Sequence, residues 1–244
     1  MEQQQISARD GVALHVASTG GGHDVVVLSG GPGCVHYLAD ERLAPRGFRA
    51  WYPDPRGVGR SGGEGHDMAT AIADLEVIRE SLGLGTWLVL GHSWGADLAV
   101  RYALEHPDRV SGVVAVAGRG LQYDRFWSAE YERLQHTEDV FEIDFVPVVH
   151  ESLSTSFREW VHEAGLFRAL ADSPVPMRFI AAADDIRPNW PLRQLAELVP
   201  SANFSQVPGA VHNFWSTDPH LWAETVTRAC AELSGDATAQ DANG

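Results

Sequence analysis

The sequence predicts an α/β fold, a mostly parallel sheet with helices packed on both faces. Three observations carry that expectation. Short apolar, β-branched runs alternate along the chain with longer segments whose apolar residues fall at helical spacing. The strand candidates are apolar at consecutive positions rather than at every second one, as strands covered on both faces are. No segment repeats at a period of roughly 20–50 residues, which argues against solenoids and propellers.

Taken in order, Ile6–Ala8 and Val12–Ser18 flank Asp10-Gly11, a hairpin signal. Val25–Leu28 is a β-branched run that ends in the glycine-rich turn Ser29-Gly30-Gly31-Pro32-Gly33. Phe48–Tyr52 reads as a strand stopped by Pro53. Met68–Leu82 sets Ile72, Leu75, Ile78 and Leu82 at helical spacing, with Gly83 as the stop. Strand Trp87–Leu90, turn Gly91–Gly95 and helix Ala96–Glu105 follow, then Pro107 and a buried strand at Val110–Ala117. Beyond these come strand Pro176–Ala182, a helix near Pro191–Leu198, strand Phe204–Val207 and a helix near His220–Leu233. The expected division is a core of 1–120 and 174–235, a helical insertion at 121–173, and a flexible polar tail at 236–244. The insertion holds Trp127, Tyr131, Phe141, Phe145, Phe157, Trp160 and Phe167 among many carboxylates. Aromatics in that number need something to bury against, which predicts a lid over a site at the carboxyl ends of the strands.

All 18 cationic residues are arginines, against 33 acids, for a net charge of -15. With no lysine, the chain cannot form a Schiff base, build a Walker-A phosphate loop or run Ser–Lys chemistry. The acidic balance and the absence of a basic run argue against nucleic acid. Cys34 and Cys230 stand far apart and read as independent thiols. Neither a secretory leader nor an apolar run of membrane-spanning length is visible, so a cytoplasmic protein with no membrane partner is expected. No cofactor or metal is expected, since His150-Glu151 and His162-Glu163 both lack a second histidine four residues on.

Gly91-His92-Ser93-Trp94-Gly95 fits G-x-S-x-G between a strand and a helix. A serine on that sharp turn projects its hydroxyl at a helix N-terminus, where an anion is favoured. Gly59-Arg60-Ser61-Gly62-Gly63 fits the same pattern but has loop on both sides, so Ser93 is the expected nucleophile. Together with Ser29–Gly33, Asp54-Pro-Arg-Gly-Val-Gly-Arg-Ser61 and Gly209-Ala-Val-His212, the motif resembles the α/β-hydrolases, and within them the proline iminopeptidase branch. The similarity covers roughly 5–120 and 174–234 and leaves the insertion unmatched.

The resemblance implies an eight-stranded, mostly parallel sheet with a short helical cap, and a Ser-His-Asp serine hydrolase acting on a small-molecule or short-peptide substrate. His212 follows the last strand and is the expected base. Asp184 and Asp185 both end the strand before it. The family's proline four positions after the acid selects Asp184, through Pro188. The oxyanion donors expected are the Trp94 amide, next to the serine, and by resemblance the Gly31 amide, with Gly30 the second choice and Ser29 where the family usually has histidine. An iminopeptidase also binds a free amine, for which Glu130, Trp127 and Trp215 are the substrate-binding candidates. The acidic composition leans the same way. A small esterase, lactonase or C–C hydrolase is the alternative, and a non-catalytic receptor of the same fold is the third reading.

Overall fold

The computed structural model describes residues 1–121, 125–138 and 142–235. Phe141 and the tail 236–244 lie outside them. Eight strands form one sheet: β1 (Glu2–Ser7), β2 (Ala13–Gly20), β3 (His23–Leu28), β4 (Phe48–Pro53), β5 (Trp87–His92), β6 (Val110–Val116), β7 (Met177–Ala182) and β8 (Ala202–Val207). Their spatial order is β1-β2-β4-β3-β5-β6-β7-β8. β2 pairs antiparallel with both neighbours, and every pairing from β4 to β8 is parallel.

The consecutive apolar residues of the strands serve two layers. In β3, Val26 and Leu28 pack into one core while Val25 and Val27 pack into the other, all four nearly inaccessible to solvent. Helices α1 (Met68–Ser81) and α2 (Trp94–Glu105) cover the first face, and α8 (Pro219–Ser234) covers the second. Asp67 caps α1 by accepting from the Thr70 amide at 2.7 Å, and Asp218 caps α8 through the Leu221 amide at 3.0 Å.

Two differences from the sequence reading have physical causes. β1 begins at Glu2, four residues before the apolar Ile6. Its early residues face solvent at the sheet edge, so hydrophobic patterning does not mark them; the ladder with β2 does. A one-turn helix, α7 (Phe214–Thr217), is too short to carry a period.

Between β6 and β7 the chain forms α3 (Arg125–Leu134), α4 (Pro147–Trp160) and α5 (Leu166–Ala171). Phe157 and Trp160 of α4 are buried against the first core, whereas Phe145 and Phe167 stay exposed. α6 (Trp190–Leu198) follows β7. Among the described residues no helix is long and apolar enough to cross a membrane, and Cys34 and Cys230 are free thiols.

Candidate active site

Ser93 sits at the junction of β5 and α2 with φ 55° and ψ −125°, a conformation that costs a non-glycine residue about 1–3 kcal/mol. Its own amide donates to the Val116 carbonyl at 2.9 Å, which pins the turn to the next strand. The flanking glycines are required by space. A Cβ on Gly91 would lie 2.1 Å from the Gly95 oxygen, and one on Gly95 would lie 2.4 Å from the Leu28 oxygen. Ser61, by contrast, is buried in a loop, accepting from the His15 amide at 2.9 Å and donating to the Asp54 carbonyl at 2.8 Å.

His212, in the loop after β8, brings Nε2 to 3.2 Å from the Ser93 hydroxyl oxygen. Its Nδ1–H donates to Asp185 Oδ2 at 2.6 Å. The carboxylate on the histidine is therefore Asp185, not the expected Asp184, whose side chain is exposed. The turn after β7 explains the difference. The amides of Ala183 and Asp184 extend the ladder to the carbonyls of Val207 and Ala210, at 3.0 and 2.8 Å, with the Asp184 side chain outward. The chain then turns back and carries Asp185 beneath His212. Pro188 stands three positions after this acid, so the spacing rule pointed one residue too early.

Asp185 Oδ1 accepts from the Arg187 amide at 2.9 Å and from its guanidinium at 3.1 Å. Burial pushes the Asp185 carboxyl upward, but the charge and hydrogen bond of His212, with Arg187 behind them, hold it below the usual carboxylate range. A serine bonded to an imidazole that is bonded to a buried, ionised carboxylate can pass its proton away and attack an acyl carbon.

Gly31, Ser93 and Trp94 share the wall of one cavity of about 780 Å³. The Gly30 amide is already committed to the Tyr37 hydroxyl at 2.6 Å. The amides of Gly31 and Trp94 have no acceptor among the described residues. Tyr37 in turn donates to His92 Nδ1 at 2.8 Å, and His92 Nε2–H donates to the His212 carbonyl at 3.0 Å. His92 thus faces inward as a brace. Burial, reinforced by nearby His212, pushes it down to about 3, so it stays neutral.

Of the expected substrate contacts, Trp127 lines the cavity, with Arg119 over its ring at 4.3 Å. Glu130 does not line it; it is exposed and paired with Arg133 in the next turn of α3. Trp215 stacks on Tyr37 at 4.7 Å, behind the glycine turn, where it supports the loop and lies outside the cavity lining. The cavity also takes in Tyr131, Glu132, His150 and Arg158, which sequence reasoning did not single out as site residues. His150, named in the sequence only as half of an incomplete metal motif, donates through Nδ1 to the Pro32 carbonyl at 2.9 Å. Nothing in its local sequence signals that, because the contact spans the fold. Asp97, in the first turn of α2, accepts from the amides of Gly120 and Arg119, at 2.9 and 3.3 Å. Burial raises its pKa to about 7.

The family model for the alpha/beta hydrolase fold matches residues 25–227. The chain belongs to the α/β-hydrolase family. A proline iminopeptidase of Neisseria gonorrhoeae is 42% identical over 102 residues, which is 38% of this chain and 32% of that protein. The match thus spans about a third of the length of that curated relative. A putative carbamate hydrolase RutD of Caulobacter vibrioides is 28% identical across 93% of this α/β-hydrolase and 97% of its own length. An esterase structure from Exiguobacterium antarcticum superposes with a TM-score of 0.70 at 19% identity, covering 93% and 98% of the two chains, and shows the shared fold.

Proposed function

We propose that this α/β-hydrolase is a serine hydrolase working through Ser93, His212 and Asp185. The observation that carries the reading is the pair of hydrogen bonds at His212, 3.2 Å to the serine and 2.6 Å to the carboxylate. His212 takes the hydroxyl proton as Ser93 attacks an ester or amide carbonyl. The oxygen that becomes negative is held by the amides of Gly31 and Trp94, a contribution of roughly 10²–10³ in rate per donor. The imidazolium returns the proton to the leaving group. A water then gives up its proton to His212 and attacks the acyl-enzyme, releasing the acid and restoring the serine. The helices between β6 and β7 act as a cap that shields these steps from bulk water. Cys34 and Cys230, both thiols, suit a cytoplasmic setting.

Release of an N-terminal proline or similar small residue is the first substrate reading, supported by the likeness to proline iminopeptidases over the core motifs. Its amine contact falls to Glu132, which lines the cavity, in place of Glu130. A second reading, hydrolysis of a small ester or amide without a free amine, is favoured by Arg119 and Arg158 on the same wall. Turnover of a prolyl-arylamide against short acyl esters tests the choice. Prolyl-arylamide hydrolysis that falls at least about tenfold in Glu132→Gln supports the first reading. Turnover of esters alone rejects it.

A further inference from the structure

We infer that Arg187 and Glu138 form a counter-charge pair that sets how strongly Asp185 supports a positive charge on His212. The inference rests on the serine-hydrolase reading above and adds two positioning residues, neither of which touches the reacting atoms.

The geometry is a shared guanidinium. Arg187 Nη1 donates to Glu138 Oε1 at 2.6 Å and also to Asp185 Oδ1 at 3.1 Å, while Nη2 donates to Glu138 Oε2 at 2.9 Å. Glu138 therefore holds the arginine by its two-pronged edge, and Asp185 receives only the longer branch. The Tyr131 ring of α3 stacks against the guanidinium at 4.9 Å. All three charged side chains are largely withdrawn from solvent, at 20% exposure for Arg187, 21% for Glu138 and 6% for Asp185, so their fields are poorly screened.

The sign follows from charge counting. With Glu138 ionised, the arginine is neutralised from the cap side and the full negative charge of Asp185 faces the imidazole. Without Glu138, an uncompensated cation beside Asp185 cancels part of that support. The other groups facing His212 do not compete for this role. Ser93 is a neutral hydroxyl, and His92 is neutral because burial and nearby His212 push it down to about 3. Glu138 lies just beyond α3, in the insertion, whereas Asp185 belongs to the core. The seating of that segment is thereby coupled to the strength of the base.

The test needs no knowledge of the substrate. A fluorophosphonate forms a bond from its phosphorus to the serine oxygen, expels fluoride and passes the serine proton to His212. Its labelling rate against pH therefore reports the histidine. In Glu138→Gln the midpoint moves to lower pH by about 0.5–1 unit. In Arg187→Met it moves to higher pH, and in the double variant it returns to within about 0.3 unit of the parent. Opposite shifts that cancel cannot come from loosened packing, which would move both single variants the same way. Labelling with unchanged midpoints in Glu138→Gln, or shifts of one sign in both single variants, overturns the inference and leaves the hydrolase reading standing. Absence of labelling in the parent protein overturns both.

Discussion

Two neighbouring aspartates show what a residue's position along the chain hides. Asp184 and Asp185 are equivalent by composition and differ only in the direction the turn after β7 gives each side chain. Asp185→Asn is expected to lower kcat by about 10⁴-fold, because the histidine loses the acceptor that fixes its tautomer. Asp184→Asn is expected to stay within about threefold, since an exposed charge there is screened. Steady-state kinetics on the two variants decide this. Ser93 was legible because a strained serine needs small neighbours on both sides, and Gly91 and Gly95 write that need into the sequence. Gly95→Ala, whose new Cβ would press on backbone at 2.4 Å, should lower stability by about 3 kcal/mol or more, measured by denaturant unfolding.

At the scale of elements, the turn after β7, which carries Asp185, meets three further loops at the site: the glycine turn after β3, the turn after β5 and the histidine loop after β8. The chain from the Gly30 amide through Tyr37 and His92 to the His212 carbonyl ties all three together. Tyr37→Phe keeps the stacking on Trp215 but leaves the Gly30 amide and His92 Nδ1 without partners. A roughly tenfold loss of kcat with little change in KM is expected, the pattern of a misplaced transition-state contact. Asp97 plays a similar part, joining α2 to the loop that leaves β6. Because its pKa rises from 3.8 to about 7 on folding, its contribution is full below about pH 4 and declines as pH climbs towards 7. The stability of the parent relative to Asp97→Asn should fall over that window by up to about 1.4 kcal/mol per pH unit, checked by denaturation at several pH values. The strands of the sheet interior were readable because burial on both faces leaves an unbroken apolar run. The braces were not, since Tyr37, Asp97 and His150 draw their meaning from partners distant in sequence.

For the molecule as a whole, charge is unevenly placed. The chain carries -15 overall, yet arginines meet at the cavity: Arg119, Arg158 and Arg187 all line it. The acidic composition, which leaned towards an amine-bearing substrate, is a property of the surface more than of this wall. Self-repulsion among the surplus carboxylates predicts that raising salt from about 0.02 to 0.5 M lifts Tm by a few degrees, as a thermal melt would read. The order of motifs pointed to the proposed acyl-transfer site, whereas most of the cavity lining stayed hidden. Strand ends and loops fix the first, and the insertion between β6 and β7 supplies much of the lining. Intact mass after fluorophosphonate treatment tests whether Ser93 is the nucleophile of this arrangement. One adduct on the parent chain and none on Ser93→Ala is the predicted result. An unmodified parent, or equal modification of Ser93→Ala, would contradict it.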